Sequence, residues 1–352
     1  MRAVVYDEVR GTPTVREVAR PSAPPGGAVV RVEASGLCRS DWHAWTGHEE
    51  VPLPNIPGHE LAGVVVEVGA SVSRHQVGDR VTVPFVEGCG VCEWCRSGNA
   101  QVCPNQQQPG FTHDGSFAEY VALYAADTNL VTLPDSVGFA AAAALGCRFA
   151  TAYRGLVGRA RLEADEWVLV VGAGGVGLSA TMIAVALGAR VIVLERSPAA
   201  LDLAAGLGAA HTVLVDDAPA AERADLIVEL TGGGAHVGVD AVGSEATAAE
   251  SIYGLRRQGR HLQIGLMPSV HGHPRMPMER VIARELAILG CHGMAAADYP
   301  EMLGLIASGA LDPGALVTRT IDLEGAARAL PRMDTVSDPG ITLVSPGAGQ
   351  QG

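Results

Sequence analysis

The sequence predicts an α/β protein in two parts, a twisted and partly antiparallel β half followed by a doubly wound parallel sheet. Three observations predict it. Short β-branched runs punctuated by Gly and Pro fill the first 149 residues, a strand–glycine turn–helix–strand unit opens at Trp167, and further strand candidates follow with helical stretches between them. The length of 352 residues suits two domains, by a prior of roughly 150 residues each.

In the first part the strand candidates are AVVY, AVVRVEASG, LAGVVVEVG, DRVTVPF and FAEYVAL. The rhythm then changes at WVLVVGAGGVGLSATMIAVALGARVIVLER, a βαβ unit. Strand candidates near 212–215, 237–241, 260–265 and 285–290 alternate with the helical stretches PAAERADLIVEL and SEATAAESIYGLRRQ. Six strands with helices between them predict a doubly wound sheet over 150–290. The remaining 291–352, with helix-like YPEMLGLIASGAL and DLEGAARALPRM, is too short for a fold of its own and is expected to complete domain 1–149. SPGAGQQG reads as a frayed tail, and no internal repeat of solenoid period occurs.

Composition removes several function classes. Hydrophobic residues make up 48%, yet no apolar run approaches the roughly 18 residues of a membrane span, and MRAVVYDEVR has no apolar signal core. The expectation is a cytoplasmic protein with reduced thiols and no membrane partner. All 25 basic side chains are arginines, so lysine Schiff-base chemistry is excluded. A net charge of −13 without basic clusters argues against nucleic acid, whose phosphates must be neutralised. The acidic surplus serves solubility.

Six of the seven cysteines stand in metal-ligand patterns. Cys89, Cys92, Cys95 and Cys103 form a CxxCxxCx7C run that closes four thiolates around one structural zinc, a disulfide lobe being the alternative. Cys38, His59 and Cys147 are scattered, and three ligands leave zinc a vacancy where a substrate oxygen is polarised. Singly each is weak evidence, because a lone Cys is usually a small hydrophobe and a lone His a satisfied core or surface group.

Gly172, Gly174, Gly175, Val176 and Gly177 form GAGGVG between a strand and a helix, the context that gives such a motif meaning. The glycines permit a tight turn, close approach to a pyrophosphate, and close packing of helix on strand. Eighteen positions after Gly177, Glu195 ends the next strand, where its carboxylate accepts from both ribose hydroxyls and repels a 2′-phosphate. NAD is therefore expected, with NADP kept open by the neighbouring Arg196.

Together GLCRSDWHAW, PGHE, the four-cysteine lobe, LGCRFATAY and GAGGVG resemble, in order, the motifs of the zinc-dependent alcohol dehydrogenases of the medium-chain dehydrogenase/reductase family. The resemblance spans nearly the whole chain. It implies a GroES-like β catalytic domain, 1–149 completed by 291–352, and a Rossmann NAD-binding domain, 150–290, with the active cleft between them. It implies two zinc ions per subunit, catalytic and structural, and hydride transfer between a primary or secondary alcohol and NAD to give aldehyde or ketone. Cys38, His59 and Cys147 would bind the catalytic ion, with Glu60 behind them or as a transient fourth ligand and Asp41 orienting His59. Arg39 would hold the pyrophosphate, Ser40 and His43 would pass the alcohol proton outward, and Thr151 would lie against the nicotinamide. Ile264, Gly265, Leu266 and Leu289 would line that ring. An exposed structural role is the alternative for His43.

Trp42, Trp45 and Phe85 are candidates for the walls of a water-poor substrate pocket, with core packing as the alternative. His48, Glu49 and Glu50 follow where relatives often keep a bulky apolar residue, and Gly340 stands where several place a pyrophosphate-binding arginine; both are departures. Cys291 reads as a small buried residue, with cofactor contact as the alternative, and His271 and His273 as loop histidines. Related machinery would serve a polyol, amino-alcohol or carbonyl substrate. From another class, a crystallin-like or binding protein without turnover is the rival, disfavoured by the complete ligand set. By analogy the chain forms a homotetramer, a homodimer being open, through the last Rossmann strand.

Overall fold

A computed structural model describes residues 1–216, 220–267, 273–335 and 338–347. His271 and the end of the expected tail lie outside the described residues. The chain divides into two compact units, Met1–Ala150 with Gly293–Gly352, and Thr151–His292.

The first unit is built on β1 (Arg2–Val5) paired with β2 (Thr14–Glu17), and on a larger sheet. That sheet contains β3 (Ala28–Leu37), β4 (Glu60–Val68), β5 (Arg80–Thr82), β6 (Tyr120–Leu123) and β7 (Val131–Thr132). Its aliphatic side chains make the core: Val30, Val32, Leu61, Val65, Val81, Val121 and Leu123 are all buried together. Burying each such side chain is worth about 1.5–3 kcal/mol, which stabilises the frame that carries the site. The C-terminal segment returns to this unit, where two strands numbered below extend the sheet.

In the second unit β8 (Trp167–Val171), β9 (Arg190–Glu195), β10 (His211–Leu214), β11 (Ala235–Asp240), β12 (Leu255–Gln263) and β13 (Ala287–Gly290) are all parallel. Their spatial order is β10-β9-β8-β11-β12-β13, the Rossmann order. WVLVV in β8 is buried at every residue, because a central parallel strand is covered on both faces. One stretch differs from the sequence expectation: SEATAAESIY is helical, Glu245–Tyr253, but LRRQ after it begins β12. Gly254 ends the helix, and Leu255 directly after it pairs with Ala235 of β11, so the chain passes into a strand.

Back in the first unit, β14 (Val317–Ile321) pairs parallel with β15 (Ile341–Val344), and β15 pairs antiparallel with β3. Among the described residues no helix is long and apolar enough to cross a membrane.

Candidate active site and metal centres

Cys38 ends β3's run and is the N-cap of the helix Arg39–Trp45. Its backbone N–H donates to Asp41 Oδ2 at 3.0 Å, the return half of a capping box. The other oxygen, Asp41 Oδ1, accepts from Gly58 N at 3.1 Å and from His59 Nδ1 at 2.9 Å. One carboxylate, only 1% exposed, therefore ties together two segments far apart in sequence. With Nδ1 so held, His59 Nε2 is buried without a hydrogen-bond partner. A buried imidazole with one nitrogen on a carboxylate and the other unsatisfied is what a metal-binding histidine requires. Donor atoms of Cys38, His59, Glu60 and Cys147 lie within 4.8 Å of one another. Zinc with ligands at about 2.0–2.3 Å fits that set after small closure.

Electrostatics agree with a cation site. The Cys38 thiol is held well below the usual thiol range, first by the hydrogen bond from Cys147 and then by the Arg148 charge, while Cys147 is pushed well up. Cys38 is thus the readier thiolate of the two, and a divalent ion bound by both sulfurs would displace the Cys147 proton. Burial opposes charge on His59, but the charge and hydrogen bond of Asp41 outweigh it and lift its pKa well above the ordinary histidine value.

Glu60 is fully buried, and Arg148 engages both its oxygens. Oε1 accepts from the Arg148 backbone N and from Nε, each at 3.0 Å, and Oε2 accepts from Nη2. Arg148 is itself 7% exposed, and this pairing is absent from the sequence reading. The signal available was a lone arginine inside the apolar run LGCRFATAY. Also missed were Phe111, whose ring lies edge-on to His59 at 5.2 Å, and buried Tyr299. Burial, then the Cys147 and Glu60 charges, raise the Tyr299 hydroxyl well above its usual range.

Of the pocket-wall candidates, Phe85 lies beside His59, with ring centroids 6.1 Å apart. Trp42 and Trp45 instead pack on the cluster of Val4, Leu37, Phe117 and Leu330, and Trp45 Nε1 donates to Gly11 O at 2.7 Å. The alternative of core packing describes Trp45 best.

His43 Nδ1 is 3.0 Å from His48 Nδ1, and His48 is exposed. Burial, followed by the His48 and Arg39 charges, lowers the His43 pKa. Ser40 precedes Asp41 on the same short helix. Exposed Arg39 borders a groove of about 740 Å³ that Arg319, Arg328 and Arg332 also line. Gly340, with φ +87°, presses on Thr318, where a Cβ would approach Cγ2 to 2.5 Å. That backbone conformation favours glycine over a residue with a side chain.

In the cysteine lobe, Sγ–Sγ distances of 3.9 Å (Cys89–Cys95), 3.5 Å (Cys92–Cys95) and 3.7 Å (Cys92–Cys103) approach the edge of about 3.8 Å that a tetrahedron with Zn–S near 2.3 Å has. Backbone N–H groups of Val91 and Cys92 pull the Cys89 thiol down to about 6. All four are free thiols, so no disulfide lobe forms. Buried Asn129 braces the lobe's base, accepting from Gly88 N at 2.8 Å and donating to Gly88 O at 2.9 Å. Cys95→Ser is expected to release one zinc equivalent and lower the thermal midpoint while the active-site metal stays; elemental analysis and calorimetry check it.

In the other unit, Gly172 takes φ +93° at the end of β8, and a Cβ on Gly177 would meet Gly172 O at 1.8 Å. The helix Gly175–Ala186 begins there, with Gly174 exposed and Gly175 and Val176 half-buried at its N-terminus. Glu195 Oε2 accepts from Ala173 N at 2.7 Å, and Oε1 from Arg196 N at 2.6 Å and Ser197 N at 3.0 Å. The carboxylate is thus fixed against the turn, and exposed Arg196 flanks it. Gly265 N donates to Asp240 O at 2.8 Å, with Ile264 and exposed Leu266 on either side. Thr151 is buried, and its carbonyl accepts from Cys291 Sγ at 3.4 Å. Leu289 lies in β13 and His273 is exposed.

The chain matches the Alcohol dehydrogenase GroES-like domain family over residues 24–135 and the Zinc-binding dehydrogenase family over residues 175–308. It is 34% identical over 312 residues to an alcohol dehydrogenase of Geobacillus stearothermophilus, covering 88% of this chain and 90% of that one. Among solved structures, an NAD-dependent alcohol dehydrogenase superposes with a TM-score of 0.88 at 30% identity, covering 99% of this chain and 100% of that one. The alcohol dehydrogenase TADH of Thermus sp. ATN1 gives 0.87 at 30% identity, with 98% and 99% covered. With its ligand sets and glycine turn in the expected order, the chain belongs to the zinc-dependent alcohol dehydrogenases of the medium-chain dehydrogenase/reductase family.

Proposed function

We propose that the protein interconverts an alcohol with its aldehyde or ketone, using one zinc at Cys38, His59 and Cys147, a structural zinc at the four-cysteine lobe, and NAD. The observation that carries the reading is the buried, unpartnered Nε2 of His59 among two cysteines, oriented by Asp41. When bound, zinc supplies Lewis-acid polarisation of the substrate hydroxyl and NAD the acceptor for hydride. The protein's own part is positioning. Asp41 orients His59, Phe85 and Phe111 keep water from its ring, and His43 accepts the released proton at Nε2, since Nδ1 is engaged by His48. Exposed His48 gives that proton a route outward.

NAD rather than NADP is supported by Glu195, whose carboxylate, held at the glycine turn by Ala173 N, would repel a 2′-phosphate. Metal analysis with an NADH absorbance assay over primary, secondary and polyhydric alcohols tests the reading; no NAD-linked turnover with any of them, on protein holding both metals, overturns it. Higher kcat/KM with NADP than with NAD overturns the cofactor assignment alone.

His43→Gln is expected to lower alcohol oxidation about tenfold or more near neutral pH, where His43, with its lowered pKa, is an unprotonated base and hydroxide is scarce. As pH falls through that pKa, below about 6.5, the normal enzyme loses the same base, so the gap narrows there too. Superimposable pH profiles of variant and parent remove His43 from the relay.

The reading extends to a homotetramer in a reducing, cytoplasmic setting. Seven free cysteines support the compartment, and the exposed Ile282 and Ile288 near edge strand β13 support pairing there. Light scattering measures the mass.

A further inference from the structure

Two roles compete for the Glu60 carboxylate. It is one of four donors within 4.8 Å of one another, so a metal at Cys38, His59 and Cys147 has a fourth protein ligand within easy reach. Yet both oxygens are held by Arg148, through the backbone N, Nε and Nη2. A bidentate arginine–carboxylate pair with an added backbone donor is among the strongest polar contacts a protein makes. Both partners are buried, where neither can exchange the other for water. The surroundings are shaped to the pair. A Cβ on Gly36 would come within 2.1 Å of Glu60 Oε2 and 2.9 Å of Arg148 Nη2, so only glycine leaves room for the carboxylate in this position.

The covalent chain gives the contact its consequence. Arg148 directly follows Cys147, and Glu60 directly follows His59, so the pair links the neighbours of two metal ligands. A zinc closed by Cys38, His59, Cys147 and Glu60 is saturated, the state of a structural site, whereas three ligands leave a place for an incoming oxygen. What decides between these states is where the Glu60 carboxylate spends its time.

We propose that Arg148 is a positioning residue that holds Glu60 off the metal and so keeps the fourth coordination place open to exogenous ligands. This rests on the metal centre proposed above. Arg148 touches neither substrate nor cofactor in this role; it acts through Glu60.

The test replaces zinc at this centre with cobalt(II) and follows the visible d–d bands while imidazole, a small exogenous ligand, is added. The parent protein is expected to shift its bands on titration. In Arg148→Met the freed carboxylate occupies the place, so the apparent Kd for imidazole rises at least tenfold and the cobalt becomes slower to leave to a chelator. The double variant Arg148→Met with Glu60→Gln removes the competing ligand and is expected to restore the imidazole response. That restoration separates positioning from general damage, since a merely structural role predicts a double variant no better than the single one. Arg148→Lys keeps the charge but loses the bidentate fork, and is expected to fall between parent and Met variant; it serves if Arg148→Met does not fold.

An unchanged imidazole response in Arg148→Met and Arg148→Lys overturns this inference and leaves the metal centre standing. Failure of the double variant to regain the response also overturns it. Absence of cobalt bands from this site in the parent protein overturns the metal centre and the inference together.

Discussion

His59→Ala is expected to empty the active-site metal and lower alcohol oxidation by at least about 10³-fold, with the lobe zinc retained. The magnitude follows from the several kcal/mol of charge stabilisation that a metal Lewis acid supplies, at about 1.36 kcal/mol per factor of ten. His59 is the only nitrogen donor in its group. Removal leaves two cysteines and a carboxylate already committed to Arg148. Elemental analysis before and after dialysis, beside the NADH assay, reads the result. Metal content equal to the parent's would place the ion elsewhere. Metal uptake by the parent should weaken as pH falls, because the ion competes with protons held by Cys147 and by His59, whose pKa values are both raised.

Asp41→Ala is expected to cost about 3–5 kcal/mol of stability and to weaken metal affinity about 10–100-fold. Three buried donors, the Cys38 and Gly58 backbone N–H groups and His59 Nδ1, converge on this carboxylate. Each donor left unsatisfied costs about 1–3 kcal/mol. The loss also frees the His59 ring to turn, which is why affinity falls as well as stability. Asp41→Asn should do less harm, since its remaining oxygen still accepts from Gly58 and His59, while its NH2 faces the Cys38 N–H. Denaturant melts and chelator competition on the two variants check the order; parent-like stability and metal affinity in Asp41→Ala would mean that the carboxylate is not the tie.

The Rossmann order was legible because its pieces are local. Continuous apolar runs such as WVLVV need cover on both faces, and GAGGVG demands a turn only glycine allows. Less legible were β2 and β7, four and two residues long, and the helix Arg39–Trp45, about two turns capped by a cysteine. Such short elements have little propensity of their own and form because the rest of the fold pairs or caps them. Trp45 shows the same limit: an aromatic beside a candidate ligand reads as a pocket wall until its partners are known.

Residue types and their spacing in the sequence determined the candidate ligand sets, the glycine turn and the family, because a thiol cluster or a glycine turn carries its chemistry in its own identity. Only the tertiary structure decided what stands behind the ligands. Arg148 on Glu60 and Phe111 against the His59 ring join segments tens of residues apart. Pairings of that kind arise from where the chain returns in space, and a buried charge reveals its partner only after folding has removed water as the alternative.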